Sequence, residues 1–195
     1  MRNPKYHAIY REKASNFSYL QWKHDFLSQY IQCRFSVVQT SLRTTGKQYE
    51  QWFLKTRTHP VLSEWRNLWY PNGKKLVPLS LVERYFSPLS FCVWFCDDGT
   101  QTSENAVYLF TFAFQEPDVH FLRHLLTLKL GLDSSVASRT ERNGSLYYFL
   151  KLKSSEWSKV EKHVSSFSPP GMEYKWTKRP HNIDTQQNRR LRTQG

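Results

Sequence analysis

The sequence has few of the residues and patterns that mark several common protein classes. It contains 3 cysteines and 2 methionines among 195 residues. So sparse and odd a set of cysteines argues against a disulfide scaffold and for a reducing compartment. No apolar run reaches the roughly 18 residues of a membrane span, and the longest candidate, around residues 86–96, is too short. The opening residues are polar and lack the apolar stretch of a signal peptide. We therefore expect no membrane partner.

Acidic residues are also scarce. The chain has 16 Asp and Glu against 28 Lys and Arg, which gives a formal net charge of +12. Large apolar side chains are abundant, with 7 Trp, 11 Tyr and 13 Phe, and they exclude disorder as the main state. A basic, aromatic-rich globular chain is typical of proteins that bind a polyanion. Nucleic acid is the first candidate.

Two halves of the chain carry the same order of predicted elements. The first half predicts a strand at 6–11, a helix after Ser15 that reaches Ile31, strands at 34–40 and 48–56, and a helix at 60–69. The second half predicts a strand at 107–114, a helix at 117–130, strands at 134–141 and 145–152, and a helix at 155–164 capped by Ser154. The offset is about one hundred residues throughout, which indicates two copies of one unit.

The segment before the second copy has no counterpart in the first. Pro88 suits the first turn of a helix, and residues 89–96 are apolar or small on every side, so we expect this helix to be buried all round. It ends in Asp97 and Asp98, followed by Gly99, which is able to reverse the chain. Two carboxylates at a helix C-terminus repel each other and oppose the helix dipole. A divalent cation such as Mg²⁺ would offset that cost, whereas an ordinary exposed turn is the alternative reading.

This segment resembles the signature helix of the LAGLIDADG homing endonucleases. Residues 89–99 read LSFCVWFCDDG and are similar to the branch whose motif reads like LTPLSLAxWFMDDG. Residues 70–78 (YPNGKKLVP), residues 58–60 (THP) and residues 169–175 (PPGMEYK) also match that branch, in the same order along the chain. The resemblance covers roughly residues 5–176.

The resemblance implies an α+β fold of two pseudo-repeated αββαββα units that form a saddle-shaped, DNA-binding sheet. It divides the chain into residues 1–86, an incomplete first unit with a connector, residues 87–176, a second unit with its motif helix at 88–98, and a basic, disordered tail at 177–195. It implies that Asp98 is catalytic and holds Mg²⁺, with Asp97 the second candidate ligand. The implied activity is hydrolysis of phosphodiester bonds in double-stranded DNA, and the implied origin is a mitochondrial or chloroplast intron.

Two departures from the family pattern bear on cleavage. The first unit lacks its motif helix, and three explanations stay open: a truncated chain, an upstream exon that encodes the helix, or a second subunit that supplies it. Phe112 stands where related sequences carry a polar residue, and a phenyl ring can neither position a water molecule nor hydrogen-bond a base. The alternative to the endonuclease is therefore a catalytically degenerate nucleic-acid-binding protein or a maturase that assists splicing of intron RNA.

Basic residues on the predicted hairpins are the candidate DNA contacts, since a sheet lined with cations suits a groove lined with phosphates. Lysines that only keep a sheet soluble are the alternative. A zinc site at Cys92, Cys96, His120 and His124 has a longer spacing than common zinc fingers, and we do not favour it. The candidate DNA-binding residues are Arg34, Arg43, Lys47, Lys55, Arg57, Lys74, Lys75, Arg139, Arg142, Lys151 and Lys153.

Overall fold

The first half of the protein is a three-stranded antiparallel sheet with two principal helices. The computed structural model describes residues 8–41, 44–102 and 104–177. The elements of this half are β1 (Arg11–Ala14), α1 (Phe17–Leu27), β2 (Cys33–Ser41), β3 (Gln48–Thr56) and α2 (Pro60–Trp69). The strand order is β1-β3-β2. A short helix, α3 (Leu79–Tyr85), connects this half to the next.

The second half is a four-stranded antiparallel sheet preceded by a helix. Its elements are α4 (Pro88–Asp98), β4 (Gly99–Gln101), β5 (Val107–Phe110), α5 (Glu116–Leu130), β6 (Ser135–Thr140), β7 (Leu146–Leu152) and α6 (Trp157–Ser165). The strand order β4-β5-β7-β6 contains the order of the first sheet, since β5-β7-β6 repeats β1-β3-β2. Among the described residues, the first half has no counterpart of α4 or β4. The predicted α+β class is confirmed.

The core is built around α4. Phe91, Cys92, Phe95 and Cys96 are buried on one side of this helix, and they belong to a cluster that includes α6 and the inner face of the second sheet. The Cys92 thiol donates a hydrogen bond to the carbonyl of Val164 on α6, at 3.8 Å. Ser87 caps the helix, because its hydroxyl accepts a hydrogen bond from the Ser90 amide. Ser90, Val93 and Trp94 on the opposite side are only half buried, so the expectation of burial all round is wrong for that side.

Several boundaries differ from those predicted. The first strand is Arg11–Ala14 instead of 6–11, of which residues 6 and 7 lie outside the described residues. Helix α1 is capped by Asn16, not Ser15, and ends at Leu27, short of Ile31. Its buried residues are Tyr19, Leu20 and Lys23, because the helix packs against both β3 and the end of α4.

The second half also contains corrections. Strand β5 ends at Phe110 instead of residue 114, because the Thr111 hydroxyl donates to the Tyr148 carbonyl (2.7 Å) and the chain then turns. Helix α6 begins at Trp157 after a turn of 3-10 helix, and Ser154 makes no side-chain cap. No helix in the described ranges is both long enough and apolar enough to cross a membrane.

Candidate functional site

The C-terminal end of α4 presents two adjacent carboxylates that have different surroundings. Gly99 follows them in an extended conformation (φ −90°, ψ 154°), so it continues the chain into β4 and does not reverse it as predicted. A glycine is needed there for another reason. A Cβ atom at this position would lie 2.5 Å from the Phe95 carbonyl oxygen and 2.9 Å from the Phe95 Cα. Only a residue without a Cβ atom therefore fits at this junction of α4 and β4 without a shift of the backbone.

Asp97 is held by a buried lysine from the first half of the chain. Lys23 on α1 is only 5% exposed, and its Nζ donates to both carboxylate oxygens of Asp97, at 2.8 and 2.9 Å. The same ammonium also pairs with Glu12 on β1. The phenyl ring of Tyr19 lies beneath it, at 4.3 Å from Nζ to the ring centroid. Because both oxygens of Asp97 face this cation, Asp97 is poorly placed to bind a metal ion as well.

A second lysine closes the end of the helix. Lys175 donates to the carbonyl oxygen of Gly99 at 2.8 Å and approaches that of Phe95 at 3.4 Å. A cation at the carbonyl end of a helix interacts favourably with the helix dipole. Burial lowers the pKa of Lys175, while Cys96, Asp97 and Asp98 act in the opposite direction. The lysine of the segment PPGMEYK therefore lies beside the acidic helix end.

Asp98 faces a different environment, a largely apolar cavity of about 550 Å³. Partial burial raises the pKa of Asp98, and the neighbouring charge of Asp97 raises it further. Lys75, Lys175 and Lys23 oppose this increase. Lys75 lines the same cavity, with its Nζ 4.7 Å from the centroid of the Phe114 ring. None of the ion pairs found among the described residues includes Asp98.

The donor set at this end is compatible with a cation that brings other ligands with it. The described residues contain no group of three or more His, Cys, Asp or Glu side chains that could hold a metal by themselves. Mg²⁺ usually binds through one or two carboxylates and completes its shell with water and substrate phosphates. Asp98 therefore fits an Mg²⁺ site that forms together with a bound phosphate group, and it does not fit a closed, all-protein site.

The outer face of the first sheet carries a row of cations. Lys55 lies directly opposite Arg11 on β1 and directly opposite Arg34 on β2, so three basic side chains share one face across three strands. Arg57 joins Arg34 and Lys55 around a surface cavity of about 450 Å³. Like charges placed directly opposite each other destabilise a sheet. This row is the arrangement expected of a surface that binds phosphates.

The remaining predicted contacts are spread over the molecule. Lys151 lies on the outer face of the second sheet opposite Tyr108, and Arg139 lies on the same face opposite Tyr147. Lys153 lies just beyond the end of β7. Lys47 and Arg142 lie in the two hairpin loops, and Lys74 follows the turn at Pro71–Gly73. Arg43 and most of the predicted tail, residues 178–195, lie outside the described residues.

Comparison with known proteins identifies the family. The family model of the LAGLIDADG DNA endonucleases matches residues 2–160. The chain belongs to this family. Its fold is that of a LAGLIDADG homing endonuclease, because the solved structure of the homing endonuclease I-WcaI bound to its DNA recognition sequence superposes with a TM-score of 0.76. That match covers 92% of this chain and 79% of the other, at 20% sequence identity.

Two relatives of this chain with a named role are maturases. The cytochrome b mRNA maturase bI2 of Saccharomyces cerevisiae is 26% identical over 175 residues, and that of Debaryomyces hansenii is 25% identical over 170 residues. Each alignment covers 86% of this chain. The chain spans 40% of the length of the first protein and 63% of the second. An uncharacterized protein of Methanocaldococcus jannaschii is 26% identical over 168 residues.

Sequence reasoning missed several residues of this LAGLIDADG site. Lys23 was hidden because the pattern of α1 places His24, not Lys23, on the apolar stripe. Glu12 gave no signal, since the predicted strand ended before it. Lys175 was within reach, because it closes the motif PPGMEYK that carries part of the family resemblance. Packing of the first half against α4 brings Lys23 and Glu12 to the helix end, and the fold of the second half brings Lys175 there.

Proposed function

We propose that this protein is a site-specific DNA endonuclease in which Asp98 holds a catalytic divalent cation. The observation that carries the proposal is the end of α4, where one carboxylate, unpaired among residues 8–41, 44–102 and 104–177, faces a cavity shared with Lys75, next to Lys175. The basic row of Arg11, Lys55 and Arg34 lies on a sheet face that suits duplex phosphates. We assign target binding to side chains on the first sheet and hydrolysis to the end of α4.

The proposed chemistry divides between the cation and the chain. A bound Mg²⁺ lowers the pKa of an attacking water and stabilises negative charge on the leaving oxygen. Asp98 binds the cation only in its ionised form. Lys75 and Lys175 place positive charge near the scissile phosphate of the DNA and stabilise the negative charge that develops on it. Lys23 holds Asp97 and thereby keeps α1 docked on the end of α4, so it positions the site and does not touch the substrate.

Incubation of the purified protein with a randomised DNA library and Mg²⁺ tests this function. We expect sequence-specific cuts that disappear in Asp98→Asn and persist in Asp133→Asn, which removes an exposed carboxylate in the loop after α5. The described residues contain only one helix that ends in a pair of aspartates, α4. We therefore expect the chain alone to cut only one strand of the duplex. Salt-sensitive binding with no cuts at any site would refute the endonuclease.

We further propose that the apolar side of α2 accepts a motif helix from a second subunit. In the second half, α6 buries Trp157, Val160 and Val164, and α4 is the helix against which it packs. In the first half, the equivalent helix α2 has no buried residue. Its apolar side chains Val61, Trp65 and Leu68 are exposed. Trp65 and Trp69 line the same cavity as Asp98, so a helix bound there would lie beside Asp98.

A fusion protein tests this completion. A copy of residues 87–99 joined to the N-terminus through a flexible linker is expected to raise the melting temperature and to convert nicks into double-strand breaks. The matched control carries Asn in place of the aspartate equivalent to Asp98 in the added copy only. It should keep the gain in melting temperature and still nick. A fusion that leaves the melting temperature unchanged would contradict the proposed docking.

The second candidate function is that of an intron RNA maturase without cleavage activity. It is favoured by the aromatic side chains Phe110 and Phe114, which share the cavity with Asp98 where a nuclease site would use polar groups. The named maturases among the relatives support it as well, and the cytochrome b mRNA in their names is compatible with an organellar origin. The test is the splicing rate of the transcript that contains the coding sequence. Acceleration that survives Asp98→Asn supports the maturase.

A further inference from the structure

The outer face of the second sheet is aromatic, in contrast to the basic outer face of the first sheet. Along β5 and β7 the side chains alternate, and Leu109, Leu150 and Leu152 point inward and are fully buried. The alternate positions, Tyr108, Phe110, Tyr147 and Phe149, therefore point outward. Phe112, in the turn after β5, completes the group and is 39% exposed. We call these five residues the aromatic platform.

The rings of the platform contact one another in a continuous cluster. The centroid of Phe112 lies 5.0 Å from that of Phe110, 5.2 Å from that of Tyr147 and 6.4 Å from that of Phe149. Phe149 also lies 5.6 Å from Tyr108 and 6.1 Å from Phe110. Phe112 is exposed and the other four side chains are half-buried, so together they form a partly exposed aromatic patch on the outer face of the sheet, a feature that marks binding surfaces.

Cations on the same face indicate the kind of ligand. The Lys151 ammonium lies 5.8 Å from the centroid of the Tyr108 ring. Arg139 lies opposite Tyr147 at the other end of the platform, where its guanidinium also approaches Glu141 at 3.7 Å. Aromatic rings interleaved with cations suit a ligand that is apolar on its flat faces and negative on its backbone. The net charge of +12 favours such a polyanion over an apolar protein surface.

We propose that the aromatic platform binds unpaired nucleotides by stacking their bases on its rings. Phenyl rings offer no hydrogen bond to the edge of a base pair, so this face is poorly suited to reading a duplex. Single-stranded segments expose the faces of their bases, and aromatic side chains on a sheet stack against them. Phe110 belongs both to the platform and to the lining of the cavity that contains Asp98. A single-stranded nucleic acid bound on the platform would therefore lie next to Asp98.

The platform goes beyond the proposed endonuclease, and its test does not depend on cleavage. Fluorescence anisotropy in EDTA would measure the affinity for a labelled oligouridylate of about 12 nucleotides, for the matching oligodeoxythymidylate, and for a mixed-sequence duplex. Removal of one ring that stacks on a base weakens binding by about fivefold to hundredfold. We expect Phe112→Ala and Phe112→Leu to weaken single-strand binding by that factor, and Phe112→Trp to retain it. All three should leave duplex binding within about twofold of the parent.

Phe112→Leu keeps an apolar side chain in the turn, so it separates loss of stacking from loss of packing. The control is Tyr30→Ala, which removes an aromatic ring that is 77% exposed and lies between α1 and β2 in the first half. Tighter binding of the RNA oligomer than of the DNA oligomer would identify RNA as the ligand through its 2′-hydroxyl groups. Equal binding of the two would mean that the platform recognises bases alone. Equal loss of duplex and single-strand affinity in Phe112→Leu, or no loss in either with an unchanged melting temperature, would overturn the proposal.

Discussion

Replacement of Asp97 and replacement of Asp98 by asparagine should change stability in opposite directions, although the two residues are adjacent. Asp97→Asn removes the charge that faces the buried ammonium of Lys23 and leaves Glu12 as its remaining partner. Loss of a charged hydrogen-bonding partner next to a buried ion costs about 1–3 kcal/mol, and the 36% exposure of the Asp97 side chain keeps the value within that range. In a chain of this size, the melting temperature should fall by about 2–10 °C.

Asp98→Asn removes a charge that the fold disfavours. The folded-state pKa of Asp98 is raised above its ordinary value of 3.8, so the ionised carboxylate opposes folding at neutral pH. Its partial exposure limits the gain on neutralisation to about 0.3–1 kcal/mol, which corresponds to a rise of about 1–4 °C in melting temperature. The gain should be fully present above the raised pKa. It should vanish as the pH falls through that value toward 3.8, where Asp98 is protonated in both states.

Thermal unfolding followed by circular dichroism, at neutral pH and without divalent ions, measures both effects. Asp133→Asn is the control for removing one exposed negative charge. The reasoning fails if Asp97→Asn is as stable as the parent, because the Lys23 ion pair would then be unimportant. It fails equally if Asp98→Asn is destabilised, since Asp98 would then have a stabilising partner.

Three further predictions concern the domain contact, the basic row and the acidic centre. Gly171→Ala should lower the melting temperature by about 4–10 °C, because the new Cβ would lie 2.7 Å from Oδ1 of Asn16, the cap of α1. Gly144 has a similar positive φ but open space around it, so Gly144→Ala should lower the melting temperature by less than half as much. Lys55→Ala should reduce the slope of log affinity for duplex DNA against log salt by about one and raise stability slightly, while Lys129→Ala on α5 should leave that slope unchanged. Because only ionised Asp98 can bind the cation and its pKa is raised, cleavage at subsaturating Mg²⁺ should fall as the pH decreases, and initial rates that do not change with pH in the acidic range would contradict this role of Asp98.

The sequence determined the elements that depend on local pattern. The strands at 34–40, 48–56 and 145–152 and the helices at 60–69 and 88–98 agree with the structure to within a residue or two, because alternation, proline positions and turn residues act locally. The family was also within reach of sequence, since the ordered motifs around Asp97, Asp98 and Gly99 are specific and the family model matches most of the chain.

Other features depend on packing between distant segments. Strand β4 and helix α3 carry little pattern of their own. Strand β5 is shortened by the contact of Thr111 with the carbonyl of Tyr148, 37 residues away. The aromatic platform requires the register of β5 against β7, which no local pattern specifies.

Asp97 and Asp98 show the difference between what the sequence determines and what the tertiary structure determines. The sequence placed Asp97 and Asp98 together at a helix end and indicated a preference for Asp98 only through resemblance to a family. The tertiary structure separated them, because Lys23 comes from a helix 74 residues away and takes Asp97, while Asp98 faces a cavity lined by α2, α3 and β5. Local sequence specifies which groups are present, and long-range packing decides which of them is left for a ligand.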